Sequence, residues 1–137
     1  TEEQIEALGR FSETIGVAFQ IQDDILNLVG EEFGKGKGAG EDIHEGKRTI
    51  MVLHTLRHGT EAEKKRILEI LNSHPSDQET IQEAIGIIQR NGGIDYARAK
   101  AKELVEKSWK SVDRVLPPTR AKDILEAFAH YLIRRKI

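Results

Sequence analysis

The stretch Phe19-Gln-Ile-Gln-Asp-Asp-Ile-Leu-Asn-Leu28 sets two adjacent carboxylates into the middle of an otherwise apolar helical pattern. No proline interrupts the chain from Glu2 to Val29, and Ile5, Leu8, Ile15, Ala18, Phe19, Ile25, Leu26 and Val29 recur at helical spacing. That periodicity predicts one long helix, with Gly9 and Gly16 as the places where it could bend. Near its C-terminal end Ile15, Val17, Phe19, Ile21, Ile25, Leu26 and Leu28 point in several directions, and a helix apolar on most of its circumference is a buried one. Against that background Gln20, Asp23, Asp24 and Asn27 fall at i, i+3, i+4 and i+7, so four polar side chains share one stripe.

Two ordinary roles for such carboxylates are a helix N-cap and a solvated helix face. Asp23 and Asp24 lie far inside the helix and among large apolar residues, which argues against both. An ionised carboxylate taken out of water costs several kcal/mol or more without a compensating charge, so the pair calls for cations or bound metal. Magnesium suits it, because that ion takes one or two protein carboxylates, keeps waters, and completes its octahedron with phosphate oxygens. The chemistry implied is the binding of a phosphorylated small molecule.

The residues that follow agree with this. Between 30 and 46 the glycines 30, 34, 36, 38, 40 and 46 are interleaved with Lys35, Lys37, Glu41 and Asp42, a composition that predicts a flexible loop. Lys37, and Gly46-Lys47-Arg48-Thr49 at the opening of the next helix, could place ammonium groups and backbone amides against an anion. Gly34-Lys-Gly-Lys-Gly-Ala-Gly40 is not a P-loop, because it lacks the ordered spacing ending in Gly-Lys-Ser/Thr and follows no strand.

Further along, a helix of about ten residues is predicted from Lys47 to Leu56, ending at His58-Gly59, where glycine can close it. Thr60 with Glu63, and Ser76 with Glu79, match the capping-box pattern and open helices near 61–72 and 77–91. Gly92-Gly93 stops the second of these. A longer helix runs from Ile94 to Leu116, and Pro117-Pro118 separates it from a last one, from Thr119 to Lys136. The expected architecture is an all-α bundle of about six helices with no strand. His54 and His58 stand at i, i+4 and could take zinc, but no third ligand is placed and no glutamate holds the position a zinc protease would need. Trp109 and Tyr96 fall on an amphipathic helix with Leu104, Val105, Val112 and Val115 and read as core.

Composition narrows the function classes. Basic and acidic residues number 21 and 23, with no long block of either sign, which excludes an electrostatic nucleic-acid binder. The absence of cysteine excludes disulfides and thiolate metal sites and suits a cytoplasmic protein. No apolar run approaches the ~18 residues of a membrane span. The chain opens at Thr1 within a stretch that already reads as helical, the pattern of a fragment or a processed chain.

Phe19 to Leu28, then Gly36-Lys37 and Gly40-Glu-Asp-Ile-His-Glu-Gly-Lys-Arg-Thr49, resembles the second aspartate-rich region of trans-isoprenyl diphosphate synthases, with geranylgeranyl diphosphate synthases the best match. A looser resemblance continues through Glu83 to Ala97 and on to Arg134-Arg-Lys136. The resemblance implies the class I isoprenoid synthase fold, with residues 1–137 as the C-terminal portion of one synthase domain and the N-terminal half absent. It implies that Asp23 and Asp24 hold Mg2+ bridging an allylic isoprenoid diphosphate, that Gln20 supports them, and that Lys37 and Lys47 hold the diphosphate. Where the family pattern often carries a third aspartate this chain has Asn27, so that position contributes a hydrogen bond and no charge.

The family uses two aspartate-rich motifs on facing helices, with three magnesium ions drawing diphosphate from the allylic substrate so that isopentenyl diphosphate attacks the cation. Neither Glu31-Glu32 nor Glu61/Glu63 supplies the other motif here. The implied activity is therefore prenyl transfer by a homodimeric enzyme, with this chain alone inactive. The alternative is a non-catalytic helical module that binds or regulates a full-length synthase. The Asn/Ser/Glu type of second metal motif, which would mark a terpenoid cyclase, is absent.

Overall fold

The computed structural model describes residues 1–29 and 40–134. Seven helices lie in the described part: α1 Glu2–Val29, α2 Glu41–Glu45, α3 Ile50–His58, α4 Glu61–Ser73, α5 Gln78–Arg90, α6 Gly93–Asp113 and α7 Arg120–Arg134. No strand occurs among the described residues, and no helix there is long and apolar enough to cross a membrane. The all-α expectation holds.

The chain divides into two units, one of Thr1–Gln22 with the described residues from Arg98 onward, the other centred on Asp23–Ala97. In the first unit the ring of Phe11 meets Trp109 edge-on at 5.6 Å between centroids, and both are buried. That geometry sets the electropositive edge of one ring against the face of the other. Val105 and Val112 are fully buried on the same helix as Trp109. Lys122 Nζ donates to the main-chain oxygens of Asp113 and Leu116, which satisfies acceptors that the end of α6 leaves without helical partners. Thr119 then takes the N–H of Lys122 at the start of α7.

In the second unit α5 shows most directly how spacing becomes packing. Ile81, Ala84, Ile85 and Ile88, at i, i+3, i+4 and i+7, are all buried, as are Ile67, Ile70 and Leu71 of α4. Thr60 and Glu63 form the predicted capping box, each side chain taking the other's backbone N–H at 3.1 Å. The α5 cap is displaced from expectation: Asp77, and not Ser76, accepts the N–H of Thr80 at 2.8 Å. A carboxylate at an N-terminus is the stronger acceptor and meets the positive end of the helix dipole.

Two further expectations are corrected. Residues 40–46, read as loop, contain the short helix α2, closed at both ends by glycines with positive φ; residues 30–39 lie outside the described residues. Tyr96, read as core, is exposed and stacks on His54 with the ring centroids 4.4 Å apart.

Candidate functional site

On α1 the two aspartates part company, because consecutive helical residues are rotated by roughly 100°. Asp24 is buried and Asp23 is exposed. The second unit then brings a cation to Asp24: Lys47 Nζ lies 2.7 Å from Oδ1, with the carboxylate side chain 9% exposed and the lysine side chain 40%.

Lys47 is delivered there by α2. This helix anchors itself through Ile43, which is fully buried. Its preceding residue, Gly40, has φ +93°, and a Cβ placed on it would stand 2.3 Å from Ile81 Cγ2, so glycine serves both the backbone and the packing. Gly46 ends the helix at φ +74°. The chain then turns so that the Lys47 N–H donates to the Asp42 carbonyl at 2.9 Å. Thr49 caps α3 immediately afterwards. Asn27 reaches the same segment: its Oδ1 accepts the Asp42 N–H at 3.0 Å, and its main-chain oxygen accepts the Gly40 N–H at 2.9 Å.

The electrostatics of this cluster are uneven. Burial pushes the Asp42 carboxyl above its ordinary value; Lys47 pulls it down, while Asp24, Glu45 and Glu41 push it further up. Lys47 is raised above the ordinary lysine value, first by its hydrogen bond to Asp24 and against the opposite pull of burial. Lys47 therefore stays charged at neutral pH, in surroundings where Asp24, Asp42, Glu41 and Glu45 all act on the same small region. That is a site whose charge a hard cation would balance, and carboxylate oxygens are the donors magnesium takes.

The predicted site residues divide accordingly. Asp24, Asn27 and Lys47 come together. Asp23 neighbours them on α1 with its side chain exposed, and Gln20 is exposed further back along that helix, within the first unit. Lys37 lies outside the described residues. Asp42 was missed, because it was read as one of several charges in a glycine-rich loop; the signal was its place five residues before Lys47, between the two glycines that close α2. Arg48, which the sequence placed with Lys47 at the helix opening, turns away to Gly46 O and to Asn72 Oδ1 at 2.6 Å. His54 places Nε2 3.0 Å from the Asn91 carbonyl oxygen and packs its ring on Tyr96, which gives it a structural role. No three His, Cys, Asp or Glu side chains among the described residues converge as a ready-made metal cage. A metal held by Asp23 and Asp24 would thus leave most of its coordination shell to water and ligand.

Comparison with known proteins places the chain in a family. The polyprenyl synthetase family matches residues 1–88. The chain is 47% identical over 97 residues to the short chain isoprenyl diphosphate synthase of Methanocaldococcus jannaschii, covering 71% of this chain and 29% of that one. It superposes on geranylgeranyl pyrophosphate synthetase from Pyrococcus horikoshii with a TM-score of 0.88 at 36% identity, over 98% of this chain and 40% of the other. Geranylgeranyl pyrophosphate synthase from Corynebacterium glutamicum, solved with isoprenyl diphosphate and magnesium, gives a TM-score of 0.87 at 28% identity over 98% and 38%. The chain spans less than half the length of each of these relatives. Helical content, the aspartate stripe and these matches agree: the chain belongs to the polyprenyl synthetase family of isoprenyl diphosphate synthases.

Proposed function

We propose that this chain binds the allylic diphosphate of a prenyltransferase that condenses isopentenyl diphosphate with an allylic diphosphate to give a linear isoprenoid diphosphate, geranylgeranyl diphosphate being the product assigned. The observation that carries this reading is the cluster in which Asp24, Lys47 and Asp42 meet beside the exposed Asp23, in a chain of this family.

In this reading Asp23 and Asp24, with Asp42 close by, hold Mg2+, which when bound neutralises the charge that builds on a departing diphosphate. Lys47 is partly exposed and at neutral pH carries its proton, so its ammonium can donate to a phosphate oxygen as it now donates to Asp24. Lys37 is proposed as a second phosphate donor and Gln20 as a supporting hydrogen-bond partner. The burial of Asp24 keeps water from competing for it, which strengthens each charge interaction at the site. The paired aspartates of the first motif, the isopentenyl diphosphate site and a second subunit are proposed to come from polypeptide beyond these 137 residues, so the chain alone is expected to be inactive.

A calorimetric titration tests this. Magnesium should bind weakly by itself and far more tightly when an allylic diphosphate is present, with the reciprocal effect on the diphosphate, as linkage requires. Tight magnesium binding indifferent to diphosphate would count against the site. The presence of only one aspartate-rich motif in the chain favours a second reading, a non-catalytic module that associates with a full synthase. Co-purification with a longer synthase, together with no diphosphate binding, would select it.

A further inference from the structure

Asn27 ends the polar stripe of α1, where a third acidic ligand would stand, yet the structure uses its side chain for the backbone. Gly40, the residue preceding α2, has no side chain with which to satisfy the amides of the first turn, and no cap of its own is made. Asn27, fifteen positions earlier, supplies the acceptor: Oδ1 takes the Asp42 N–H at 3.0 Å. Its main-chain oxygen takes the Gly40 N–H at 2.9 Å. The Asp42 carbonyl then takes the Lys47 N–H, and the Lys47 ammonium reaches Asp24, three residues before Asn27 on α1. These bonds close a circuit from α1 through α2 and back to α1.

We propose that Asn27 is a positioning residue: its amide oxygen caps α2 in trans, and so sets where Asp42 and Lys47 stand relative to Asp24. The inference rests on the site reading given above, but it concerns how the site is assembled and not what fills it. An amide suits this place. It accepts the backbone hydrogen bond as a carboxylate would, without adding another negative charge to a region that already holds Asp24 and Asp42. Unlike a capping residue inside α2, Asn27 connects the helix to the aspartates themselves, so loss of the cap should be felt at the ligand.

The experiment is residue-resolved hydrogen exchange on the full-length protein, with magnesium pyrophosphate titrated in parallel. In Asn27→Ala the Asp42 amide should exchange roughly 5- to 10-fold faster, the worth of one hydrogen bond. The Gly40 amide, bonded to the main chain of residue 27, should change less. Magnesium pyrophosphate affinity should fall, and Asn27→Asp, which keeps an acceptor in the same place, should restore both the Asp42 protection and the affinity. Unchanged Asp42 exchange in Asn27→Ala would overturn the proposal, since a direct ligand of metal or phosphate would leave that amide alone. Faster Asp42 exchange with undiminished affinity would overturn it too, because the clasp would then exist without positioning anything. Wild-type protein that binds no magnesium pyrophosphate would refute the site reading, while the exchange pattern would still decide whether Asn27 caps α2.

Discussion

Replacing Lys47 by methionine keeps much of the side-chain length and removes the charge that faces Asp24. At the observed separation of 2.7 Å the gross attraction is roughly 6 kcal/mol at an effective dielectric constant of about 20. Desolvation of both groups offsets most of it. Breaking a fully buried pair costs about 3–5 kcal/mol and breaking an exposed one ~0–1 kcal/mol. Here one partner is 9% exposed and the other 40%, so a destabilisation of about 2 kcal/mol is expected. The cause is a buried carboxylate left with one cation fewer, so the double variant Lys47→Met/Asp24→Asn should regain most of the loss. Urea unfolding of the wild type, the single variants and the double variant forms the cycle that isolates the pair. The pH dependence has a definite sign. The folded lysine holds its proton more tightly than the unfolded one, so the difference between wild type and Lys47→Met should be constant from neutral pH up to the ordinary lysine value of 10.5 and should shrink as pH rises above it. A Lys47→Met loss no larger than ~0.5 kcal/mol, or a double variant as unstable as the single one, would refute the reasoning.

Asp42→Asn should stabilise the protein in the absence of ligand at neutral pH. The folded carboxyl holds its proton more tightly than the unfolded one, so ionisation costs stability as pH rises through 3.8 towards the folded value, and thermal melts at pH 3 and pH 7 should show the gain only at the higher pH. The same variant should weaken magnesium-dependent diphosphate binding by ~10-fold or more, as outer-sphere carboxylates do. Asp23→Asn should abolish the mutual enhancement of magnesium and diphosphate seen by calorimetry. Gly40→Ala meets both a positive φ and Ile81, and should cost about 2–4 kcal/mol in denaturant unfolding. Thr60→Ala and Asp77→Ala should each cost ~1 kcal/mol, whereas Ser76→Ala should be silent, which separates the observed α5 cap from the one the sequence suggested.

What was legible in the sequence was whatever rests on periodicity and local hydrogen bonding. The face of α5 that carries Ile81, Ala84, Ile85 and Ile88, and the Thr60–Glu63 box, could be read directly because each depends only on residues within two turns of one another. The short helix α2 could not. Five residues between glycines have no helical stability of their own, and only the burial of Ile43 and the trans cap from Asn27, contributed by distant residues, make the helix worth forming. The unequal fates of Asp23 and Asp24 were hidden for a related reason. Spacing puts both on one broad stripe, but which of the two is buried depends on where α2 and Lys47 pack. Tyr96 was misjudged although its neighbours held the answer: Ile94, Ala97, Ala101 and Val105 define the buried side of α6, and position 96 falls off it.

The same arrangement bears on why metal and diphosphate should enter together. In the proposed site, magnesium arriving alone would gain Asp23 and Asp24 but would stand against the Lys47 ammonium, which its own hydrogen bond to Asp24 holds in place. Diphosphate arriving alone would gain Lys47 but would face Asp24, Asp42 and the acidic residues of α2; the Asp42 carboxyl is raised first by burial and further by Asp24, Glu45 and Glu41. With both present, each would remove the repulsion met by the other: Lys47 could donate to phosphate oxygens, and the Asp24 carboxylate would then be available to a cation. On that proposal the ion pair between Lys47 and Asp24 is a placeholder, in which each partner stands in for the other's ligand. A buried aspartate could be kept at such a site because the lysine would hold its carboxylate paired and ordered until the exchange of partners.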